Sequence, residues 1–396
     1  MNSNKDNIVI TEEAEPLFIY SHSKEIIKAL KLFMSNKYYD GTELIKKNSH
    51  YLMAFGEKSN GKSTFFQMVA CIIWWLWQRQ SVLLRLYNED FLKGRAEKMF
   101  GGLPKGFISK ITKGQYDSVV YKHFAWYFAR FDDETGKYIF QAEPFCFRQC
   151  ILNSGSSFQM PEVDFIFFDE FIRKDTQRNV PDEFVEFQTV ISTIKRSKTS
   201  LQIAMAGNTV NYYSVYFKEM GLTNIRKQLQ GTIDVYNYGN TSLSVAVEYC
   251  DTPVGKNQES NVYFAFNNPK LQMITSGKWQ LEIYPHLKAH YHYKPKEILL
   301  TYFIKFDDTM FQCDIVNAKE GDLFTYIHDE IGHTVDFNND IVYQQCVDPR
   351  PNIATNILKA QYDWQHTIAS FFASNKVFYK SNDIGDMIHA YLRQCR

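Results

Sequence analysis

The sequence lacks net charge: its 44 Lys and Arg balance 44 Asp and Glu. That argues against a histone-like coat for DNA, while leaving room for a local basic surface such as the lining of a ring. It lacks a paired-cysteine pattern. Seven cysteines are scattered, Cys146 and Cys150 are the closest pair, and no second pair completes a zinc site. It lacks a secretory signal, so reduced thiols in a cytosol are the expectation. It lacks a run long enough to span a bilayer. Ile72-Ile73-Trp74-Trp75-Leu76-Trp77 is too short, is followed by Gln78-Arg79-Gln80, and reads as core. Internal repeats and low-complexity tails are absent. What the chain has in quantity is aromatic residues, 32 Phe and 25 Tyr among 396 residues. A chain of this length supports a large core and two domains.

Gly56-Glu57-Lys58-Ser59-Asn60-Gly61-Lys62-Ser63-Thr64 fits the pattern G-x-x-x-x-G-K-[ST] without a mismatch. Tyr51 to Phe55 before it reads as a short buried strand. Phe65 to Trp77 after it is apolar and free of Gly and Pro, and reads as a buried helix. In that context the glycines let the backbone wrap a phosphate chain. Loop N–H groups and the helix N-terminus supply positive potential. Lys62 is expected to reach the β- and γ-phosphates of ATP, and the Ser63 hydroxyl to ligate Mg²⁺. The bland alternative is a glycine-containing strand-to-helix turn that binds nothing.

Around the loop the chain alternates strand and helix. An amphipathic helix is expected near Ser23 to Met34, then a polar turn at Asp40-Gly41-Thr42. Strands are expected at Ser81 to Tyr87, Val163 to Phe168 and Leu201 to Ala206, and helices at Asn88 to Phe100 and Pro181 to Lys195. Val119 to Phe131 and Lys137 to Ala142 read as a hairpin about Asp132 to Gly136. Buried strands alternating with helices imply an α/β fold with a mainly parallel sheet covered on both faces. The texture becomes polar after Gly221. We therefore expect a first domain over 1–220, a linking region over 221–260 and an α+β domain over 261–396. The last carries strands at Leu300 to Phe306 and Met310 to Val316, and helices at Asn356 to Ala373 and Ile384 to Arg393.

Val163 to Glu170 is an apolar strand ending in two acids. Asp169 at the strand end can hold the Mg²⁺ shell, and Glu170 can orient and polarise an attacking water. Ligands of parallel sheets lie beyond the carboxyl ends of the strands, so both acids can face the phosphate loop. A strand ending in solvated acids is the alternative. Asn208, closing the strand Leu201 to Ala206, can sense a γ-phosphate or simply form a turn. Strand, helix, then sensor strand is the order of P-loop ATPases with an additional strand between the two Walker strands. Lys195, Arg196 and Lys198 at a helix end complement the helix dipole. Alternatively, Arg196 is an arginine finger acting in a neighbouring subunit.

Phe168-Asp169-Glu170-Phe171-Ile172-Arg173 resembles the Walker B region of the phi-29-type genome-packaging ATPases of short-tailed phages. The likeness extends, in the same order, to the P-loop, Leu84-Arg85-Leu86-Tyr87, Pro181, Asn208, Tyr212 to Phe217 and Lys380 to Arg396. It is strong in the first half of the chain and weak in the second. The resemblance implies a homo-oligomeric ring, a pentamer, docked on the phage portal in the host cytoplasm and pumping double-stranded DNA into a procapsid. Whether a structural RNA joins is left open. It implies phosphate and Mg²⁺ contacts for Lys62 and Ser63, the metal-shell acid for Asp169, the catalytic acid for Glu170, and the trans-acting arginine for Arg196. Lys58 stands where relatives often carry Arg and offers charge without a bidentate fork.

The resemblance also implies a C-terminal domain like a degenerate RNase H-like nuclease. Asp314 and Asp386 are the acids that could serve one, Asp307-Asp308 and Asp329-Glu330 reading as loop acids. His286 to Lys296 reads as an exposed edge strand, or as a nucleic-acid contact. His328 and His333 are five apart, off the helical spacing of a zinc-protease motif. DNA-contacting cations are sought in the hairpin region and in Lys93 to Lys113. The rival readings are a complete terminase with an active nuclease, a P-loop small-molecule kinase, and a nucleotide-stabilised assembly protein without turnover.

Overall fold

The computed structural model describes residues 16–34, 38–92, 94–152, 162–172, 182–195, 200–209, 214–251, 284–288, 292–306, 309–317 and 323–395. They fall into two compact units, Met1–Gln280 and Leu281–Arg396.

The first unit is built on a ten-stranded sheet. Its strands are β1 (Tyr51–Gly56), β2 (Gln80–Arg85), β3 (Ser118–Lys122), β4 (Ala125–Asp132), β5 (Lys137–Phe140), β6 (Cys146–Cys150), β7 (Val163–Asp169), β8 (Gln202–Asn208), β9 (Thr232–Asn237) and β10 (Ser244–Tyr249). The order is β3-β4-β6-β2-β7-β8-β1-β10-β9, with β5 on β4. From β6 to β10 every neighbouring pair is parallel. The antiparallel pairings lie at the two ends. The central strands are buried along their whole length, which is why they read as unbroken apolar runs.

Three longer helices pack on this sheet. In α1 (Ser23–Leu30) the buried Ile26, Ile27 and Leu30 form one stripe. Helix α2 (Lys62–Trp77) is buried nearly all round and carries Phe65, Phe66, Val69 and Ile73 into one half of the core. Helix α3 (Glu183–Lys195) buries Phe187, Val190, Ile191 and Ile194 in the other, against Phe168 and Met205. The Ile72–Trp77 run is core as far as Trp74; Leu76 reaches the surface. Among the described residues no helix is long and apolar enough to cross a membrane.

Three expectations fail here, the first two for local reasons. The helix expected over Asn88 to Phe100 is broken into short turns, with Gly94 in the left-handed region at φ +72°. The stretch expected as one strand over Val119 to Phe131 is two, β3 and β4, joined by His123 and Phe124, both at positive φ. That geometry matches the right-handed twist of the flanking strands. The region 221–260, expected to link two domains, supplies β9 and β10, and β10 pairs with β1 in the same sheet. Its polar texture arises because β9 is a half-wet edge strand and 238–243 is a hairpin turn.

The second unit carries a six-stranded mixed sheet of order β15-β14-β11-β12-β13-β16. These are β11 (Ile298–Phe306), β12 (Thr309–Asn317), β13 (Leu323–His328), β14 (Val342–Gln344), β15 (Ile353–Ala354) and β16 (Val377–Tyr379). β11, β12 and β13 are antiparallel, while β14, β15 and β16 join in parallel. Helices α4 (Asp363–Ala373) and α5 (Asn382–Gln394) complete it. The expected start of α4 at Asn356 is wrong. The Asn356 side chain accepts from the N–H groups of Leu358 and Lys359 and holds a turn instead. Ser381 caps α5 by accepting from Ile384 N. Its Gly385 lies against the Tyr284 ring, where a Cβ would fall 2.2 Å from Cδ2. The expected edge strand over His286 to Lys296 is not seen among the described residues there, which are loop and a short 3₁₀ turn. His286 is tied instead to Tyr379 O and Asn382 Oδ1.

Candidate nucleotide-binding site

The site forms where β1, β2, β7 and β8 end together. β1 runs into the loop at Gly56, and α2 begins at Lys62. Gly61 turns the chain between them at φ +100°, a conformation that disfavours any residue with a side chain. The segment before β1 lies on this turn: a Cβ on Gly61 would meet Tyr38 Cβ at 3.2 Å, and Tyr39 N donates to Asn60 O at 2.7 Å.

Lys62 is buried, and its Nζ donates to Glu57 O at 2.7 Å and to Asn60 Oδ1 at 3.0 Å. The ammonium is thus held at the centre of the loop by acceptors that phosphate oxygens can replace. Ser63 follows it on the first turn of α2, and its Oγ donates to Asp169 Oδ1 at 2.6 Å. Lys58 and Ser59 form the exposed crown of the loop. Thr64 turns its hydroxyl toward Gly102, where a Cβ would come within 3.2 Å of Oγ1.

β7 delivers Asp169, which is 5% exposed. Burial raises its carboxyl above the usual range; Arg85, the Ser63 hydroxyl and Lys62 pull it down, while Glu170 pushes it up. Glu170 follows at φ +61°, a strained conformation for a residue with a side chain. Arg85, at the end of β2, joins the two acids. Its guanidinium lies 2.9 Å from Asp169 Oδ2 and 2.7 Å from Glu170 Oε2. Burial opposes the Arg85 charge, but Asp169, Glu170 and Asp90 outweigh it and hold the guanidinium charged.

β8 lies between β1 and β7, the position expected for a sensor strand. Asn208 ends it in register with Gly56, and Thr209 N donates to Gly56 O at 3.1 Å. Gly207 is required there, because a Cβ would stand 2.7 Å from Ile172 Cγ1. Gly56, Asn60, Gly61, Lys62, Ser63, Asp169, Glu170 and Asn208 are therefore brought together. Arg196 lies outside the described residues, as do Arg173, Pro181 and Tyr212.

Two residues carried no role in the sequence reading. Arg85 was visible as the cation of Leu84-Arg85-Leu86-Tyr87, a segment of the family resemblance, without a partner or a task. Tyr39 gave no signal at all, since its contact with the loop depends on how the preceding segment folds back. The donor set fits an anionic nucleotide. Asn60 Nδ2 and Arg85 Nε are both buried without a hydrogen-bond partner among the described residues. Ser63 Oγ and Asp169 Oδ1 together offer the hard oxygen ligands that Mg²⁺ prefers.

The second unit's candidates behave differently. Asp314 on β12 accepts from Tyr293 Oη, Thr301 Oγ1, Gln312 Nε2 and His328 Nε2. Asp386 is on α5, and among the described residues no three His, Cys, Asp or Glu side chains are grouped to hold a metal ion. His328 serves Asp314, whereas His333 pairs with Asp340 at 3.0 Å.

No family model matches the chain, and no curated protein matches it in sequence. Solved structures do match. The phi-28 gp11 DNA packaging motor shares 15% identity across 91% of this chain and 99% of its own, with a TM-score of 0.51. The bacteriophage phi-29 viral genome packaging motor assembly shares 15% identity across 91% of this chain and 100% of its own, with a TM-score of 0.55. Across nearly its whole length, then, this chain has the fold of the phi-28 and phi-29 DNA-packaging motors.

Proposed function

We propose that this chain hydrolyses ATP to drive double-stranded DNA into a viral procapsid. It would act as one subunit of a homo-oligomeric ring on the portal, in the host cytoplasm. The observation that carries the reading is the meeting of Lys62, Ser63, Asp169 and Glu170 at the start of α2. The fold shared with packaging motors over 91% of the chain supports it.

Lys62 exchanges Asn60 Oδ1 for β- and γ-phosphate oxygens. Ser63 Oγ and Asp169 are the residues that would hold Mg²⁺, which when bound neutralises charge on the phosphate oxygens. Glu170 accepts a hydrogen bond from the attacking water and polarises it. Arg85 bonds to Glu170 and Asp169 at once, so the acid that handles water and the acid that handles metal share one guanidinium. Asn208 senses the γ-phosphate from β8. Arg196, carried over from the family resemblance, is proposed to reach a neighbouring subunit's site and stabilise charge developing on the γ-phosphate.

Residues 1–220 form the catalytic part of this motor, joined by β9 and β10. The second unit is read as a vestigial RNase H-like domain, a reading supported by its mixed sheet and by the four donors that occupy Asp314. DNA is gripped through its phosphates, because packaging ignores sequence. The exposed Arg130 and Lys137 of the β4–β5 hairpin are candidates for that contact.

Steady-state ATP hydrolysis with and without long double-stranded DNA tests the proposal, for wild type and Glu170→Gln. DNA stimulation that vanishes in the variant is expected. Turnover that ignores DNA and survives the substitution would sink it.

A further inference from the structure

Behind the phosphate loop lies an acid that the proposed chemistry does not use. Glu248 stands on β10, in register with Ala54 of β1. It is partly buried, and its Oε2 accepts from Tyr39 Oη at 2.6 Å. The Tyr39 main chain in turn holds the loop, its N–H donating to Asn60 O at 2.7 Å, and Asn60 Oδ1 accepts from Lys62 Nζ at 3.0 Å. The contacts leave no slack. A Cβ on Gly41 would stand 2.8 Å from Tyr39 Oη and 2.6 Å from the Phe65 ring. One chain of hydrogen bonds therefore runs from a carboxyl on β10 to the ammonium that would meet the phosphates.

We propose that Glu248 is a positioning residue for the phosphate loop, acting through Tyr39 and Asn60 on Lys62, and that its protonation state sets the loop's affinity for nucleotide phosphates. The inference rests on the loop being a nucleotide site.

The charges around Glu248 decide the direction. Burial pushes its carboxyl up to about 7; the Tyr39 hydroxyl opposes this, Asp40 and Glu43 add to it, and Lys62 opposes it. Cys250, a further titratable neighbour, is buried with its thiol pushed well up and stays neutral. Near neutral pH the carboxyl is thus divided between two forms. Both accept the Tyr39 hydrogen bond, so the loop keeps its anchor. Only the charged form repels incoming phosphates and competes with them for Lys62. Affinity should then rise as pH falls through 7, and binding should draw a proton onto Glu248.

The test is equilibrium binding of Mg·ATP to the full chain between pH 6 and 8.5, for wild type, Glu248→Gln and Glu248→Ala. The Gln variant keeps an acceptor for Tyr39 without the charge. The ratio of wild-type to Gln affinity cancels the titration of the nucleotide itself. We expect Glu248→Gln to bind more tightly than wild type above pH 8, by about threefold to tenfold for one screened charge. The two should converge at pH 6. Glu248→Ala should bind more weakly than both at every pH, because the Tyr39 anchor is gone. Calorimetry of wild type in two buffers of different ionisation enthalpy should show net proton uptake near pH 7.5. A wild-type to Gln ratio that is constant with pH, with no proton uptake, overturns the inference and leaves the nucleotide site standing. Absence of Mg·ATP binding by all three proteins overturns both.

Discussion

Two buried aspartates, one in each unit, are handled in opposite ways. Asp169 is 5% exposed and Asp314 is 2% exposed, each at the heart of a β-sheet. Asp314 receives four side-chain hydrogen bonds. Burial alone would raise its carboxyl, but His328, Gln312, Tyr293 and Thr301 outweigh burial and hold it below the usual range. Asp169 has the Ser63 hydroxyl and the Arg85 guanidinium as its close partners among the described residues, with Lys62 adding a further pull, and for it burial prevails. A carboxylate satisfied by its own protein has no lone pairs to spare and serves structure. One left under-compensated at a strand end is poised for a cation. The contrast separates a candidate cation site from a polar core more sharply than burial or residue type does.

The comparison breaks most readily at the acid beside Asp169. If β7 ends in a working site, Glu170→Gln should lower kcat by about 10²- to 10⁴-fold. Binding of Mg·ATP and the melting temperature should stay within error, since the Glu170 side chain is 61% exposed. Assays of turnover and binding on one preparation decide this. Parallel loss of binding would mean that the side chain holds the loop rather than the water.

Asp314→Ala should do the reverse. Removing the carboxylate leaves Tyr293, Thr301, Gln312 and His328 without their common acceptor, at a cost of about 3 kcal/mol to the second unit. A thermal melt should fall by about 10 °C or more for a unit of this size. Mg·ATP affinity should be unchanged. Normal stability with lost activity would make Asp314 a functional acid after all.

Arg85 lies between these extremes, a half-buried partner that touches both site acids. Arg85→Ala should reduce turnover by about ten- to a hundredfold, as removal of a group orienting metal-site ligands does. Arg85→Lys should recover little, because a point charge cannot bridge Asp169 Oδ2 and Glu170 Oε2 together. Full activity in the Lys variant would show that charge alone, without the fork, is sufficient.

These residues also mark how far the sequence could be followed. Lys62, Ser63 and Asp169 were legible because strand, loop and helix are local patterns, and an apolar strand ending in acids takes its meaning from the phosphate-loop pattern that precedes it. The central strands were legible because a parallel sheet buried on both faces leaves apolar runs. Arg85 had no assigned role because its partners come from β7, and nothing local says that β2 and β7 are neighbours. Tyr39 and Glu248 are 209 residues apart and meet only because β10 pairs with β1. The β9–β10 segment reads as a link in the sequence because an edge hairpin is polar for the same reason a linker is. Gly94 breaks a pattern that is otherwise helical, and Asn356 forms a turn just ahead of a helix whose pattern runs on from it.

The smallest effect sharpens the comparison on its structural side. The folded state holds the Asp314 carboxyl below its unfolded value near 3.9, so the folded chain binds fewer protons there than the unfolded chain. Its contribution is fully present above that value and is lost as pH falls through the folded one. Asp314→Asn removes the charge at every pH. Wild type should therefore melt above the variant at pH 6, and the gap should narrow steadily below about pH 4. Taking the difference cancels the other carboxylates, which both proteins share. Salt supplies the control. Asp348 is also held low, to about 2, by Arg350 at 2.7 Å, but that pair is partly open to solvent and should be screened. An acid-dependent gap that survives 1 M salt belongs to Asp314, where four donors converge on a buried carboxylate. A gap that salt erases would place the effect at the surface, and Asp314 would then stabilise the sheet through the shape and number of its hydrogen bonds rather than through its charge.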